Sequence, residues 1–159
     1  VSIHHAGWMV AAFEISGIVG MLVAGWATDR FFGGRGPRVC VICMALATVF
    51  VALFWGISQP PMWLATLLLG AAGFCIYGPQ ALVGIAAANI ATKKAAATAV
   101  GFTGLFGYAS TLVSGWGLGL LAQHYGWNIA VGALILIAIM GTLIFMAAWS
   151  AKANGYDND

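Results

Sequence analysis

The stretch "GWATDRFFGGRGPR", Gly25 to Arg38, decides the fold, because it sets one aspartate and three arginines into fourteen residues of a chain with little other charge. The segments on both sides of it are strongly apolar. Six Lys and Arg and four Asp and Glu are the whole charge complement of 159 residues, of which 62% are hydrophobic. A soluble domain carries about 25% charged residues, and at 6% this chain could not cover a water-facing surface. No charge falls between Arg38 and Lys93, and none between Lys94 and Lys152. A span needs roughly 20 apolar residues to cross about 30 Å of hydrocarbon, so each uncharged tract holds two spans with a break near its middle. The sequence predicts an all-α membrane protein embedded in a lipid bilayer.

Five spans follow from this reading: Gly7 to Thr28, Val39 to Ile57, Met62 to Ala91, Ala95 to Ala122 and Asn128 to Trp149. "SQPP" (Ser58 to Pro61) separates the second from the third, since paired prolines do not continue a helix. "TKK" (Thr92 to Lys94) closes the third and "QHYGW" (Gln123 to Trp127) ends the fourth. Residues 1–149 form the bundle, and "SAKANGYDND" (150–159) is read as a disordered polar tail. The chain does not begin with methionine, which suggests a fragment, and no cleavable signal peptide is evident.

An odd number of spans makes the loops alternate in side. Arg30, Arg35 and Arg38 follow the first span, Lys93 and Lys94 the third, and Lys152 the fifth, so all six basic residues share one side. The other side holds His4, His5, Gln59 and His124, of which the three histidines read as interfacial residues without a binding role. Lys and Arg accumulate on the cytoplasmic side, which places Val1 outside and the C-terminus in the cytoplasm.

Several other patterns carry less. Net charge of +2 says nothing about nucleic acid by itself, and the basic residues sit in short loops with no stripe or aromatic platform, so no nucleic acid partner is expected. "CVIC" has C-x-x-C spacing, but without a second ligand pair Cys40 and Cys43 read as small apolar fillers, and no metal site is expected. The G-x-G-x-x-A of Gly117 to Ala122 follows no strand and ends a helix, so it does not point to a nucleotide. No nucleophile–base pair emerges, so no enzymatic activity and no cofactor are expected. Gly70 and Gly73, and Gly101, Gly104 and Gly107, have the spacing that lets helices approach closely in lipid. "YGP" at Tyr77 to Pro79 predicts a bend in the third span. Bent, glycine-rich helices suit a bundle whose helices slide or rock, and they also occur in static bundles.

The charged stretch itself has internal order. Gly25 and Asp29 stand four residues apart, on one face at the end of the first span. Gly25 allows close packing there, and Asp29 can accept charge-assisted hydrogen bonds from an arginine or a helix N-terminus. "GGRG" makes a reverse turn. G-x-x-x-D-R followed by G-R-G between two spans resembles the signature loop of the major facilitator superfamily. That resemblance implies a conformational latch, carried here by Gly25, Asp29, Arg30 and Arg35.

A second stretch, "GFCIYGPQALVGIAAANIATKKAAATAVGFTGLFGY" (Gly73 to Tyr108), resembles the organophosphate:phosphate antiporter family. Its "YGP", "KKAA" and "GFTGLFGY" are similar to the glycerol-phosphate branch. "GPQALVGIAAA" and "AGWATDRFFGGRGP" are closer to the hexose-phosphate branch and a related sensor branch. The resemblance implies that the five spans are helices eight to twelve of a twelve-helix transporter, with the missing N-terminal helices as partners. It implies exchange of organic phosphate (sugar phosphate or glycerol-3-phosphate) for inorganic phosphate by alternating access, in a bacterial inner (plasma) membrane. The alternative is a membrane sensor of external hexose phosphate that signals to a partner kinase.

Glu14 is the only ionisable side chain within a span. A carboxylate at that depth costs about 2.5 kcal/mol or more and faces a cavity or a basic partner. The resemblance implies a lysine on the absent first helix; a protonated glutamate buried between helices is the other reading. By the same resemblance Tyr77, Gln80 and Thr103 line the substrate cavity with Glu14. In the hexose-phosphate branch the segment matching Val100 and Thr103 carries an acid and a lysine, which this chain lacks. The family's phosphate-binding arginines lie on the first and seventh helices, neither of which is in this chain. The topology is tested directly: cysteines placed in "SQPP" should react with an impermeant thiol reagent from outside, and cysteines in "GGRG" should not. Reversed labelling would overturn the orientation.

Overall fold

The computed structural model describes residues 3–57, 59–91 and 94–151. Lys93 and Lys152 of the charge asymmetry, Ser58 and Thr92 of the breaks, Val1 and the tail from 152 onward lie outside the described residues. Five helices carry the chain: α1 (Ile3–Phe31), α2 (Gly36–Gly56), α3 (Met62–Ile90), α4 (Ala96–Tyr125) and α5 (Trp127–Ala147). All five are long and apolar enough to cross a membrane. The longest, at 29 and 30 residues, reach about 45 Å at ~1.5 Å per residue.

Helix boundaries fall where backbone chemistry puts them. α1 runs from Ile3 to Phe31, beyond the apolar window at both ends, because polar residues at helix ends stay helical outside the hydrocarbon. It stops at Gly33 and Gly34, whose φ of 56° and 77° few other residues adopt, so the expected turn is present. α2 starts at Gly36, with Pro37 in its first turn, where a missing N–H leaves nothing unpaired. Pro61 precedes α3 and accepts from Leu64 N at 2.9 Å. α4 continues through "QHY" to Tyr125, and Gly126, at φ 85°, joins it to α5. α3 continues without interruption through Pro79.

The packing is built around α3, which contacts α1, α2 and α4, while α5 packs on α2 and α4. α1 lies mainly on α3 and touches α2 only slightly. Buried apolar residues are few and mostly small, and one cluster of them joins Ala24, Val39, Cys40 and Leu82, with Phe32, Cys43 and Phe145 packed against it. Cys40 thus packs as an apolar core residue. α4 has no buried residue, and α5 has only Ala130. Exposed apolar side chains carry little penalty beside lipid tails that are equally apolar. Trp8, Trp55, Trp63, Tyr125 and Trp127 stand at one end of the bundle and Trp26, Phe31 and Trp149 at the other, all exposed, as aromatic belts at the two interfaces. At the first of these ends the Trp55 indole Nε1 donates to Asn128 Oδ1 at 3.2 Å, joining α2 to α5.

The closest approach is between α1 and α3. A Cβ on Gly20 would overlap the Phe74 carbonyl, and one on Gly73 would overlap the Phe13 carbonyl. Ser16 adds a direct link, its hydroxyl donating to Gly70 O at 2.6 Å. The close packing expected of Gly70 and Gly73 is therefore present, against Ser16 and Phe13, and on the same seam Gly17 faces Tyr77 and Gly20 faces Phe74. Gly101, Gly104 and Gly107 differ, because no described atom lies within 4 Å of where their Cβ atoms would stand. Gly20→Ala should destabilise the bundle by about 1–3 kcal/mol through overpacking, and Ser16→Ala by about 1 kcal/mol. Unfolding titrations in detergent check both. Wild-type stability in Gly20→Ala would contradict the close approach.

Candidate functional site

Three polar groupings stand out in an otherwise apolar molecule. The first is on the α1–α3 seam, where the Tyr77 hydroxyl donates to Glu14 Oε2 at 2.5 Å. Glu14 is exposed and Tyr77 half-buried. The tyrosine ring is seated by its neighbours. Phe13 meets it edge-on, with centroids 5.8 Å apart and planes at 69°. Gly17 leaves the space beneath it, since a Cβ there would stand 2.6 Å from Cδ2 of the ring. The sequence reading named Glu14 and Tyr77 separately as cavity residues, and the fold joins them. The described helices leave Glu14 exposed.

Gln80 and Thr103 lie elsewhere. Both line a cleft of about 480 Å³ between α3 and α4, which includes neither Glu14 nor Tyr77. Gln80 is exposed, whereas the Thr103 hydroxyl is engaged locally, donating to Val100 O at 2.9 Å. The four cavity candidates thus form two pairs on two sides of α3.

The third grouping is at the end of the bundle that holds Arg30, Arg35 and Arg38. Gly25, Thr28 and Asp29 of α1, then Gly34, Gly36 and Pro37, Asn89 of α3 and Ala151 all line a cavity of about 230 Å³. The carboxylate of Asp29 is exposed and makes no hydrogen bond or ion pair with any described residue. Arg30 and Arg35 flank the cavity in sequence without lining it. Gly25 borders the cavity, and among the described residues no atom lies within 4 Å of where its Cβ would stand. Thr28 is buried and its hydroxyl donates to Ala24 O at 2.8 Å, leaving Asp29 as the charged group of the cavity.

Arg38 does work that the sequence reading did not foresee. Its Nε donates to Trp149 O at 3.4 Å, and its guanidinium lies 5.4 Å from the centroid of the Trp149 ring. This cation–π and hydrogen-bond contact ties the start of α2 to the end of α5. The partners are 111 residues apart, beyond any local signal. Among the described residues no group of three metal-ligating side chains comes together.

The family model of the Major Facilitator Superfamily matches residues 1–155. The chain belongs to the Major Facilitator Superfamily. Within this superfamily it is 39% identical over 147 residues to a probable hexose phosphate transport protein of Chlamydia pneumoniae, covering 92% of this chain and 32% of the relative. It is 33% identical to the glycerol-3-phosphate transporter of Haemophilus influenzae, over 96% of this chain and 36% of that protein. It is also 32% identical to the membrane sensor protein UhpC of Salmonella typhimurium, over 93% of this chain and 34% of that protein. The chain spans about a third of the length of these relatives. As a superfamily member with five helices long and apolar enough to span a bilayer, it is a multi-pass membrane protein.

Proposed function

We propose that this chain is the C-terminal five-helix part of a bacterial inner-membrane antiporter that exchanges an organic phosphate for inorganic phosphate by alternating access. The observation that carries the reading is the 39% identity, across 92% of this chain, to a protein named as a hexose phosphate transporter. In this reading the helices are the eighth to twelfth of twelve, residues 1–149 are the bundle, and 150–159 form a cytoplasmic tail.

The charge distribution fits that division of labour. A phosphate dianion at membrane depth needs fixed cations, and arginine's fork suits its oxygens. Every Arg and Lys of this chain lies in a loop, at a helix end or in the tail, so its spans offer none. The cations come from the remaining helices, and Glu14 neutralises one of them. Left alone, Glu14 would repel a dianion more strongly than it would in water, because the surroundings screen less. Asp29 acts at the other end as the latch: its cavity and unpaired carboxylate are suited to a donor from the opposing half in one of the two access states. Gln80 and Thr103 offer neutral hydrogen-bonding groups on the α4 side of the cavity.

A second reading, a membrane sensor of hexose phosphate that signals to a kinase, is favoured by the 32% identity to UhpC. Uptake of labelled glucose-6-phosphate and glycerol-3-phosphate into cells carrying the full-length protein separates the two. The antiporter reading predicts saturable uptake of one of them, driven by internal phosphate, and none by the 159-residue chain alone. Asp29→Asn should slow uptake about tenfold, the effect of one charge-assisted contact, with unchanged amounts of protein in the membrane. Absence of uptake by the full-length protein, with ligand-dependent signalling, would replace the antiporter with the sensor. Saturable uptake by the chain alone would contradict its reading as a dependent part.

A further inference from the structure

Tyr77 lies on the seam between α1 and α3 with every degree of freedom restrained. Its ring is fixed by the edge of Phe13 at 5.8 Å and by the absence of a side chain at Gly17. The two backbones cannot slide past each other without forcing Gly20 into Phe74 or Gly73 into Phe13. The Ser16 hydroxyl, 2.6 Å from Gly70 O, fixes their register. The one proton the phenol can donate goes to Glu14 Oε2.

Glu14 is in the opposite condition. It is exposed, its side chain is flexible, and no described residue donates to its Oε1. On an open helix face such a side chain samples several rotamers. A rigid donor at 2.5 Å selects one of them. An organic phosphate reaching for the Tyr77 hydroxyl would have to displace a carboxylate from it and remain beside that anion. The hydroxyl is therefore poorly placed to grip substrate.

We propose that Tyr77 is a positioning residue that acts through Glu14: together with Phe13 and Gly17 it holds the carboxylate in one orientation, with Oε1 free for a cationic group supplied from outside these five helices. The substrate does not touch the phenol. The effect on turnover rests on the transport reading, whereas the held geometry does not.

The experiment uses the full-length protein in proteoliposomes. Tyr77→Phe keeps the ring, its edge contact and its seat on Gly17, and removes only the donated hydrogen bond. Turnover with glucose-6-phosphate should fall about tenfold, as expected for a hydrogen bond to a charged group, with KM changed less than twofold. Added to Glu14→Gln, it should cause no further loss. Gly17→Ala, which displaces the ring, should resemble Tyr77→Phe. A raised KM at unchanged turnover, or losses that multiply in the double variant, would overturn the proposal.

A second measurement stands apart from transport. With carbon-13-labelled glutamate, the infrared difference between wild type and Glu14→Gln isolates the carboxylate stretch of Glu14. Tyr77→Phe should shift that band, and an unshifted band would overturn the proposal. If the protein moves neither glucose-6-phosphate nor glycerol-3-phosphate while the band shifts, the transport reading fails and the positioning role stands.

Discussion

The close approach of α1 to α3 is the constraint on which the rest of the structure depends. Lipid tails are as apolar as leucine, so helices in a bilayer gain little from hiding apolar surface and associate through tight packing and hydrogen bonds. Here Gly20 meets the Phe74 backbone and Gly73 the Phe13 backbone, and Ser16 donates to Gly70 O. That contact sets the height and rotation of α1 on α3. It brings Glu14 within reach of Tyr77 and carries the end of α1, with Asp29, to the side of Asn89. α3 keeps its remaining surface for α2 and α4, so one helix organises the whole bundle.

Charge then divides the molecule into regions with different tasks. The arginines of the described residues stand at one end, where Arg38 clamps Trp149 and the Asp29 cavity opens. At membrane depth there is a single carboxylate, and its hydrogen-bond partner is a neutral phenol. Among the described residues the spans hold one hydrogen-bonded carboxylate, and the arginines gather with Asp29 at one end of the bundle.

Much of this was legible in the sequence because the decisive signals are local. Charge-free tracts marked the spans, Gly33 and Gly34 marked the turn, and Gly70 and Gly73 marked a close contact. Boundaries were less legible: α1 runs to Phe31 and α4 to Tyr125, since hydropathy reports the hydrocarbon and helices extend past it. Gly17 and Gly20 repeat the three-residue spacing of Gly70 and Gly73, so the opposing half of the contact was present as a signal and was not used. The bond from Tyr77 to Glu14 and the clamp of Arg38 on Trp149 join residues 63 and 111 positions apart. Both depend on how the helices rotate against each other, which spacing along one helix does not encode. The same rotation seats Gln80 and Thr103 in a cleft of their own between α3 and α4.

The central claim is that the close approach locks α1 and α3 in one register, and a single covalent link tests it. A Cβ built on Gly70 stands 4.0 Å from the Cβ of Ser16, within the range a disulfide spans. The measurement is uptake by full-length Ser16→Cys/Gly70→Cys protein, with Cys40, Cys43 and Cys75 replaced by alanine, before and after treatment with a reductant. The account predicts that the cross-link forms and that uptake is the same in both conditions. A cross-link that does not form, or one that stops uptake until it is reduced, would contradict it.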